Sequence, residues 1–465
     1  MNALHLIGFL ISVALIASLA IYTGIKGGRG SETKNGALVV SGIIMGTLVG
    51  GSSTIGTAQL AYNYGLSAWW FTLGSGIACL IFSLVFASSL RSNGCPTLVG
   101  MLRQEYGTSV GMTASVLNSV GTFINIISQL LSASAVVLVL WPQIETVFAV
   151  VISAVFMVLY VIFGGTKGAG VVGILKLVLL YISMVTCGML AFHKIGGIPS
   201  LAGIVHQFIS ETGVNYSSIF ARGINEDLGA CFSLILGVLT TQTYAQGILS
   251  GKTEKAAKAG GLISAFLIPP IGAFGILVGL YMRSVTDPAT FVAKTALTQF
   301  VLDYLPPVFG GIVLGTLFIA SVGTGAGLAL GVSIIINNDI IKRFTHYFDD
   351  ARKNAALSDL LIVVVLAIGC CMSTGGLGDT ILKFAFMSMG LRGAVVFLPL
   401  CFSLWLPGKV STKYALCSVI VAPILVFLFG TIFSGIVPVD SLFIGVAASA
   451  LIMFCGLVKS RRRHI

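Results

Sequence analysis

The chain has 465 residues, of which 56% are hydrophobic and only 9% charged, and its mean hydropathy is +1.03. So little polar surface excludes a soluble globule and makes lipid the expected main solvent. The formal net charge of +11 is no nucleic-acid footprint, because no basic run is interleaved with aromatic residues.

Several stretches run for about 20 residues with few charges, the length an α-helix needs to cross a hydrocarbon core roughly 30 Å thick. They are continuously apolar and lack the ten-residue alternation of barrel strands. An all-α polytopic membrane protein follows, because in lipid only helices or closed barrels satisfy every backbone polar group. The first stretch, 3–25, is longer than a signal-peptide core and lacks a basic leader, so a retained helix is expected. In chain order, about 13 spans are expected, near 3–25, 37–63, 66–90, 110–140, 143–163, 168–192, 227–249, 259–282, 307–341, 357–373, 380–406, 413–434 and 440–458. They divide as a leading helix with its inner loop (1–35), a ten-helix core (36–406), and two closing helices with a short basic tail (407–465).

The second span carries Gly46, Gly50, Gly51, Ser52, Ser53, Thr54 and Gly56. Glycine weakens a helix by about 1 kcal/mol relative to alanine, so this cluster marks either a break lining a cavity or close packing through small residues. In the sixth span stands Lys176, about 13 Å along the helix from the inner-loop Lys167. An intramembrane lysine is by default a functional candidate, although one this near the inner face also has the length to snorkel to water. The seventh span ends in Thr240, Thr241, Gln242, Thr243, Tyr244 and Gln246, a polar run that fits either a site or an interface. In the ninth span Gly323, Gly327 and Gly331 recur every fourth residue, a stripe expected to admit a neighbouring helix. Thr324 beside it offers a hydroxyl to a hard cation or back to its own helix. Arg392, deep in the eleventh span, has no acidic residue near it in sequence.

The nine cysteines are scattered through apolar runs without disulfide or metal spacing, and the five histidines stand apart. No nucleophile–base–carboxylate motif appears, so no enzyme and no bound cofactor are expected.

Ser53-Thr54-Ile55-Gly56 through Leu60-Ala61-Tyr62-Asn63-Tyr64-Gly65, Phe163-Gly164-Gly165, Gln246 before the lysine-rich inner loop, and Asn338-Asp339-Ile340 together resemble the sodium:solute symporter family over about residues 36–430. The resemblance implies a LeuT-type core of two inverted five-helix repeats. It implies a cation-coupled symporter of a small polar solute, multi-pass in the cell (inner) membrane, with solute, cation and lipid as partners and no nucleic acid. The sodium ligands it implies fall on Gly46, Val49, Ala320, Gly323 and Thr324. The solute residues fall on Ser52, Ser53, Thr57, Ser128, Gln129, Gln242, Thr243 and Tyr244. Three positions depart from the family pattern: Gly323 where a serine is common, Gly173 where many members have an aspartate, and Gly247 where many have an arginine. Sodium is the expected coupling ion, and a sodium-independent or proton-coupled transporter with Lys176 in place of the ion is the alternative. A non-transporting sensor, a membrane enzyme and a channel are the rival classes; no signalling domain, catalytic cluster or filter sequence supports them.

The alternate loops holding Lys26, Arg29, Lys34, Arg91, Arg103, Lys167, Lys252, Lys255, Lys258, Lys342, Arg343, Arg352, Lys353, Lys409 and Lys413, with the tail Lys459, Arg461, Arg462 and Arg463, all fall on one side. By the positive-inside rule this side is cytoplasmic, giving an outside N-terminus and a cytoplasmic C-terminus. A reporter that works only in the cytoplasm should be active when fused after Ile465. Activity of a periplasmic-type reporter at that position would reverse the orientation.

Overall fold

The computed structural model describes residues 3–26, 35–164, 169–341, 351–374, 380–433 and 437–461. Of the basic residues that set the expected orientation, Arg29, Lys34, Lys167, Lys342, Arg343, Arg462 and Arg463 lie outside them. Nineteen α-helices follow in order among the described residues. They are α1 (Ala3–Lys26), α2 (Ala37–Leu48), α3 (Thr57–Tyr64), α4 (Trp70–Ile81), α5 (Ala87–Asn93), α6 (Leu98–Tyr106), α7 (Thr108–Leu140), α8 (Thr146–Gly164), α9 (Ala169–Ile195) and α10 (Ile198–Thr212). There follow α11 (Ile224–Thr240), α12 (Gln242–Leu249), α13 (Glu254–Val285), α14 (Ala296–Tyr304), α15 (Pro307–Ile335), α16 (Ala351–Thr374), α17 (Ile381–Trp405), α18 (Thr412–Thr431) and α19 (Ser441–Arg461). Among the described residues the only β pairing is the isolated bridge between Asn35 and Gly251.

By length and composition, nine described helices can cross a membrane, or ten when the bent pair α11 and α12 is taken as one span. The fully described apolar stretches of three more helices, Ala3–Ile16 of α1, Ala37–Leu48 of α2 and Thr146–Ile162 of α8, are shorter. The expected count of 13 therefore does not appear as 13 uninterrupted helices. In α2 the reason is physical, since the helix stops at Leu48 halfway through its apolar run.

Helices α2, α3, α4 and α13 pack together, and α11 joins them through α4. On the other side α7 packs on α15 and α17, while α8 and α1 pack on α15. The hairpin of α18 and α19 rests on α17. Polar ties hold the ends. At one end Arg91 Nη1 donates to Gly251 O at 2.7 Å, and Lys252 N to Asn35 O at 2.7 Å. At the other, buried Asp227 accepts from Arg222 Nη2 at 2.6 Å and from the Ser67 hydroxyl at 2.6 Å, joining α11 to the segment before α4.

The glycine stripe of α15 behaves differently from expectation. A Cβ on Gly327 or Gly331 would meet nothing within 4 Å, and one on Gly323 would only touch the Tyr160 ring at 3.4 Å. The close contacts lie earlier on the helix, where a Cβ on Gly311 would fall on the His5 carbonyl and one on Gly315 on Ser12 Oγ and Phe9 O. Small-residue spacing finds a candidate face, but the crossing point of the partner, here α1, decides which turns of it are used.

This yields a paired stability test. Gly311→Ala should lower the thermal stability of the detergent-solubilised protein by about 1–3 kcal/mol, because the new methyl meets rigid backbone. Gly327→Ala should be neutral or stabilising by up to about 1 kcal/mol, since helix propensity then acts alone. Equal unfolding temperatures for the two variants would contradict the packing described here.

Candidate functional site

The first helix break is built by glycine and paid out in hydrogen bonds. After Leu48, Val49 is extended (φ −90°, ψ 103°) and its N–H returns to Met45 O. A π-helical turn over Ser52–Gly56 then leads into α3. A Cβ on Gly51 would collide with Ser132 and Ser321, and one on Gly50 would stand 2.8 Å from Thr324 Oγ1. Only glycines let the break wedge between α7 and α15.

Gly46 O, Gly50 N and Gly51 N each find a side-chain partner, as a dry interior demands. Gly51 N donates to Gln129 Oε1 (3.1 Å), Gln129 Nε2 donates to Ser52 Oγ (3.0 Å), and the Ser52 and Ser128 hydroxyls share a bond of 2.7 Å. Ser53 Oγ accepts from Gly50 N at 3.0 Å and donates to Gly50 O, and Thr57 Oγ1 donates to Ser52 O. Five of the expected solute residues, Ser52, Ser53, Thr57, Ser128 and Gln129, thus meet in one place.

The residues expected to bind the cation lie one turn earlier. In a continuous helix the Gly46 carbonyl would accept from the N–H four residues on, but Gly50 N is turned to Ser53 Oγ. Gly46 O accepts instead from Lys176 Nζ at 2.8 Å. The same ammonium donates to Thr324 Oγ1 at 2.9 Å, whose own proton goes to Ala320 O at 2.9 Å. Lys176 is 6% exposed and makes no ion pair among the described residues. It crosses from α9 to α2 rather than running to the inner face. Gly173, one turn before it, makes this reach possible. A Cβ on Gly46 would stand 2.8 Å from Gly173 Cα, and one on Gly173 2.6 Å from Gly42 O, so an aspartate at 173 would separate the two helices. Gly247 likewise rests on α2, where a Cβ would stand 2.7 Å from Ile44. Val49 and Ala320 are buried beside this site, and Gly323, with no side chain to offer, faces Tyr160.

A second break was not expected. The span drawn over 227–249 divides at Thr241 (φ −91°, ψ 122°), where the axes of α11 and α12 bend by 52°. No glycine stands at that point. The visible signal was the polar run, whose hydroxyls now bond backward: Thr240 Oγ1 to Leu236 O and Thr241 Oγ1 to Gly237 O. Gln242 does not join the other solute candidates. Its amide donates to Pro96 O and accepts from Leu98 N, pinning the start of α6. Thr243 is half-buried and Tyr244 is buried.

Arg392, whose place the sequence left unexplained, reaches this second break. Its Nη1 donates to Thr241 Oγ1 at 2.8 Å, and its other donors meet Ser388 and Met389 on its own helix, α17. An apolar cavity of about 510 Å³ beneath α10, bordered by Trp69, Leu201, Tyr216 and Leu280, is lined by no residue of either break. Among the described residues no three His, Cys, Asp or Glu side chains gather to hold a metal.

The profile of the sodium:solute symporter family matches residues 33–422. The chain is 23% identical to the human "High affinity choline transporter 1" over 442 residues, covering 87% of this chain and 74% of that one. It is 22% identical to the "Monocarboxylic acid transporter" of Corynebacterium glutamicum, covering 76% and 67% respectively. Among solved structures, a Na+-coupled sialic acid symporter in a substrate-bound outward-open state superposes with a TM-score of 0.77 at 17% identity, covering 98% of this chain and 97% of that one.

Gln129 is the test of the first break. Gln129→Leu leaves Gly51 N–H without its acceptor and should destabilise the protein by about 1–3 kcal/mol. Gln129→Glu keeps that acceptor and should lose less. If both variants melt with the wild type in detergent, the amide is not what holds the break.

Proposed function

The chain belongs to the sodium:solute symporter family, and from that premise we propose that the ion coupled to solute movement is a proton carried on Lys176. The protein is a cation-coupled symporter of a polar solute and not an enzyme. The named relatives carry solutes of opposite charge, choline and monocarboxylic acids, so membership fixes polarity and not sign.

The observation that supports the proton reading is the pair of bonds from Lys176 Nζ to Gly46 O and Thr324 Oγ1. Both oxygens belong to the ligand set that the family resemblance assigns to sodium. A protonated lysine brings to that point the same unit charge, already tethered to α9. Two like charges do not share one small site, so the ammonium and a sodium ion exclude each other there. Bonds from a charged donor are roughly twice as strong as neutral ones. While protonated, Lys176 therefore ties α9 to the broken α2 and to α15; after losing its proton to water on one side, the amine holds both more weakly. That difference is what alternating access needs, since the core must rock around a fixed site at mid-membrane. In this reading Ser52, Ser53, Thr57, Ser128 and Gln129 border the solute, with Thr243 and Tyr244 of the second break. Residues 36–406 form the working core.

Sodium coupling is the second reading. Ala320 O accepts the Thr324 hydroxyl next to the ammonium, Val49 is the extended residue of the break, and the superposing sialic acid symporter is Na+-coupled.

Uptake into proteoliposomes separates the two. An inward proton gradient in sodium-free buffer should drive accumulation, and a sodium gradient at equal pH should not. Losing two charge-assisted bonds of about 1.5–3 kcal/mol each, Lys176→Ala should cut gradient-driven uptake by roughly tenfold or more. Uptake that requires sodium and ignores the pH gradient would overturn the proton reading.

A further inference from the structure

Arg392 is a second charge in the core, and neither coupling scheme uses it. It is 0% exposed, and a guanidinium stays protonated in proteins. Among the described residues all its acceptors are neutral: Ser388 O at 3.2 Å, Ser388 Oγ at 3.1 Å, Met389 Sδ at 3.0 Å and Thr241 Oγ1 at 2.8 Å. Nη1 has two hydrogens and one partner among the described residues. The pocket is fitted to this side chain rather than merely tolerating it, since a Cβ on Gly121 of α7 would stand 2.6 Å from Arg392 Cγ.

From this unpaired guanidinium at the second helix break, we propose that the solute is a carboxylate and that Arg392 is its counter-charge. The inference rests on the transport reading and gives the sign of the charge carried.

Three features favour an anion over a cation. First, a buried charge is held at a large desolvation cost unless an opposite charge meets it, and an intramembrane arginine with no acid partner marks a path for one. Second, Arg392 binds Thr241, the residue at the start of α12, and no side chain caps that helix. The positive end of α12 therefore adds to the charge of the guanidinium at the same point. Third, the buried acid Asp227 is already taken by Arg222 at 2.6 Å, while Lys176 adds a second unpaired positive group. A quaternary ammonium solute would face repulsion throughout; a carboxylate would offset it.

The chemistry of exchange is already arranged. The Ser388 hydroxyl donates to Gly121 O and the Thr241 hydroxyl to Gly237 O, so each offers Arg392 only a lone pair. A carboxylate can take the guanidinium from them in the planar, two-bond geometry that arginine prefers. α11 and α17 are closely packed here, Gly237 against Met389 and Gly393 against Leu236, so a carboxylate reaches the guanidinium only when these two helices move apart in the transport cycle.

The test compares matched probes in proteoliposomes of the full chain: labelled lactate, pyruvate and succinate, the neutral lactamide, and choline. Thermal stabilisation of the detergent-solubilised protein by the same compounds reports binding without any gradient. At least one carboxylate should be taken up, and should stabilise the protein, at roughly tenfold lower concentration than lactamide, with choline inert. Arg392→Met should erase that preference while Arg392→Lys keeps part of it. Should the methionine variant fail to fold, the wild-type ranking and the lysine variant still decide. Carboxylate preference without proton drive would sink the coupling scheme and leave the anion inference standing. Transport of choline or lactamide in preference to all three acids would overturn the anion inference alone. No uptake or stabilisation by any probe would count against both.

Discussion

A helix that breaks inside a membrane has no water to satisfy the groups it frees, and this constraint organises the core. At the first break Gly50 N, Gly51 N and Gly46 O leave the helical ladder, and Ser53, Gln129 and Lys176 take them up. At the second, Thr241 turns its hydroxyl to Gly237 O and receives Arg392. Partners come from α7, α9 and α17, so in the proposed reading the elements that border the solute are also those that hold the breaks in shape. Stability and site are one set of bonds, and any motion that opens the site must exchange them rather than simply lose them.

Close backbone approach makes the exchange possible. Lysine is long, yet it reaches Gly46 O only because α9 meets α2 at Gly173, Gly46 and Gly42 with no Cβ between. The aspartate that many family members have at the position of Gly173 would be incompatible with that contact. On the proposed coupling scheme, a glycine at 173 and a lysine one turn later work together: the glycine lets α9 approach α2, and the ammonium then reaches Gly46 O.

Much of this was legible in the sequence. Composition and span length give the solvent and the helical class, and the glycine and hydroxyl cluster at 46–56 locates the first break because glycine acts locally. The position of Lys176 singles it out by depth alone. What the sequence conceals depends on how helices cross. The glycine stripe at 323, 327 and 331 has the right period but faces little, since α1 lies over Gly311 and Gly315 instead. Gln242 falls within the polar run but turns to Pro96 and Leu98, contacts more than 140 residues away in sequence. The second break has no glycine to announce it: backward-bonding threonines, common in unbroken helices too, carry the turn.

Among the described residues the two buried cations without an acid partner stand at different breaks, and their partners differ in kind. Lys176 is held by a backbone carbonyl and a threonine, a cage of fixed oxygens suited to a charge that stays on the protein and changes only by one proton. Arg392 is held by two hydroxyls, a sulfur and one carbonyl, weak acceptors that a stronger anion displaces, on a side chain that cannot release its proton. The titratable group therefore suits the driving ion and the permanent one suits the cargo. Carrying a proton and a carboxylate together moves no net charge, so the gradient that such a pair draws on is chemical rather than electrical. A core that already holds two positive charges would gain most from a cargo whose binding neutralises one of them in each cycle.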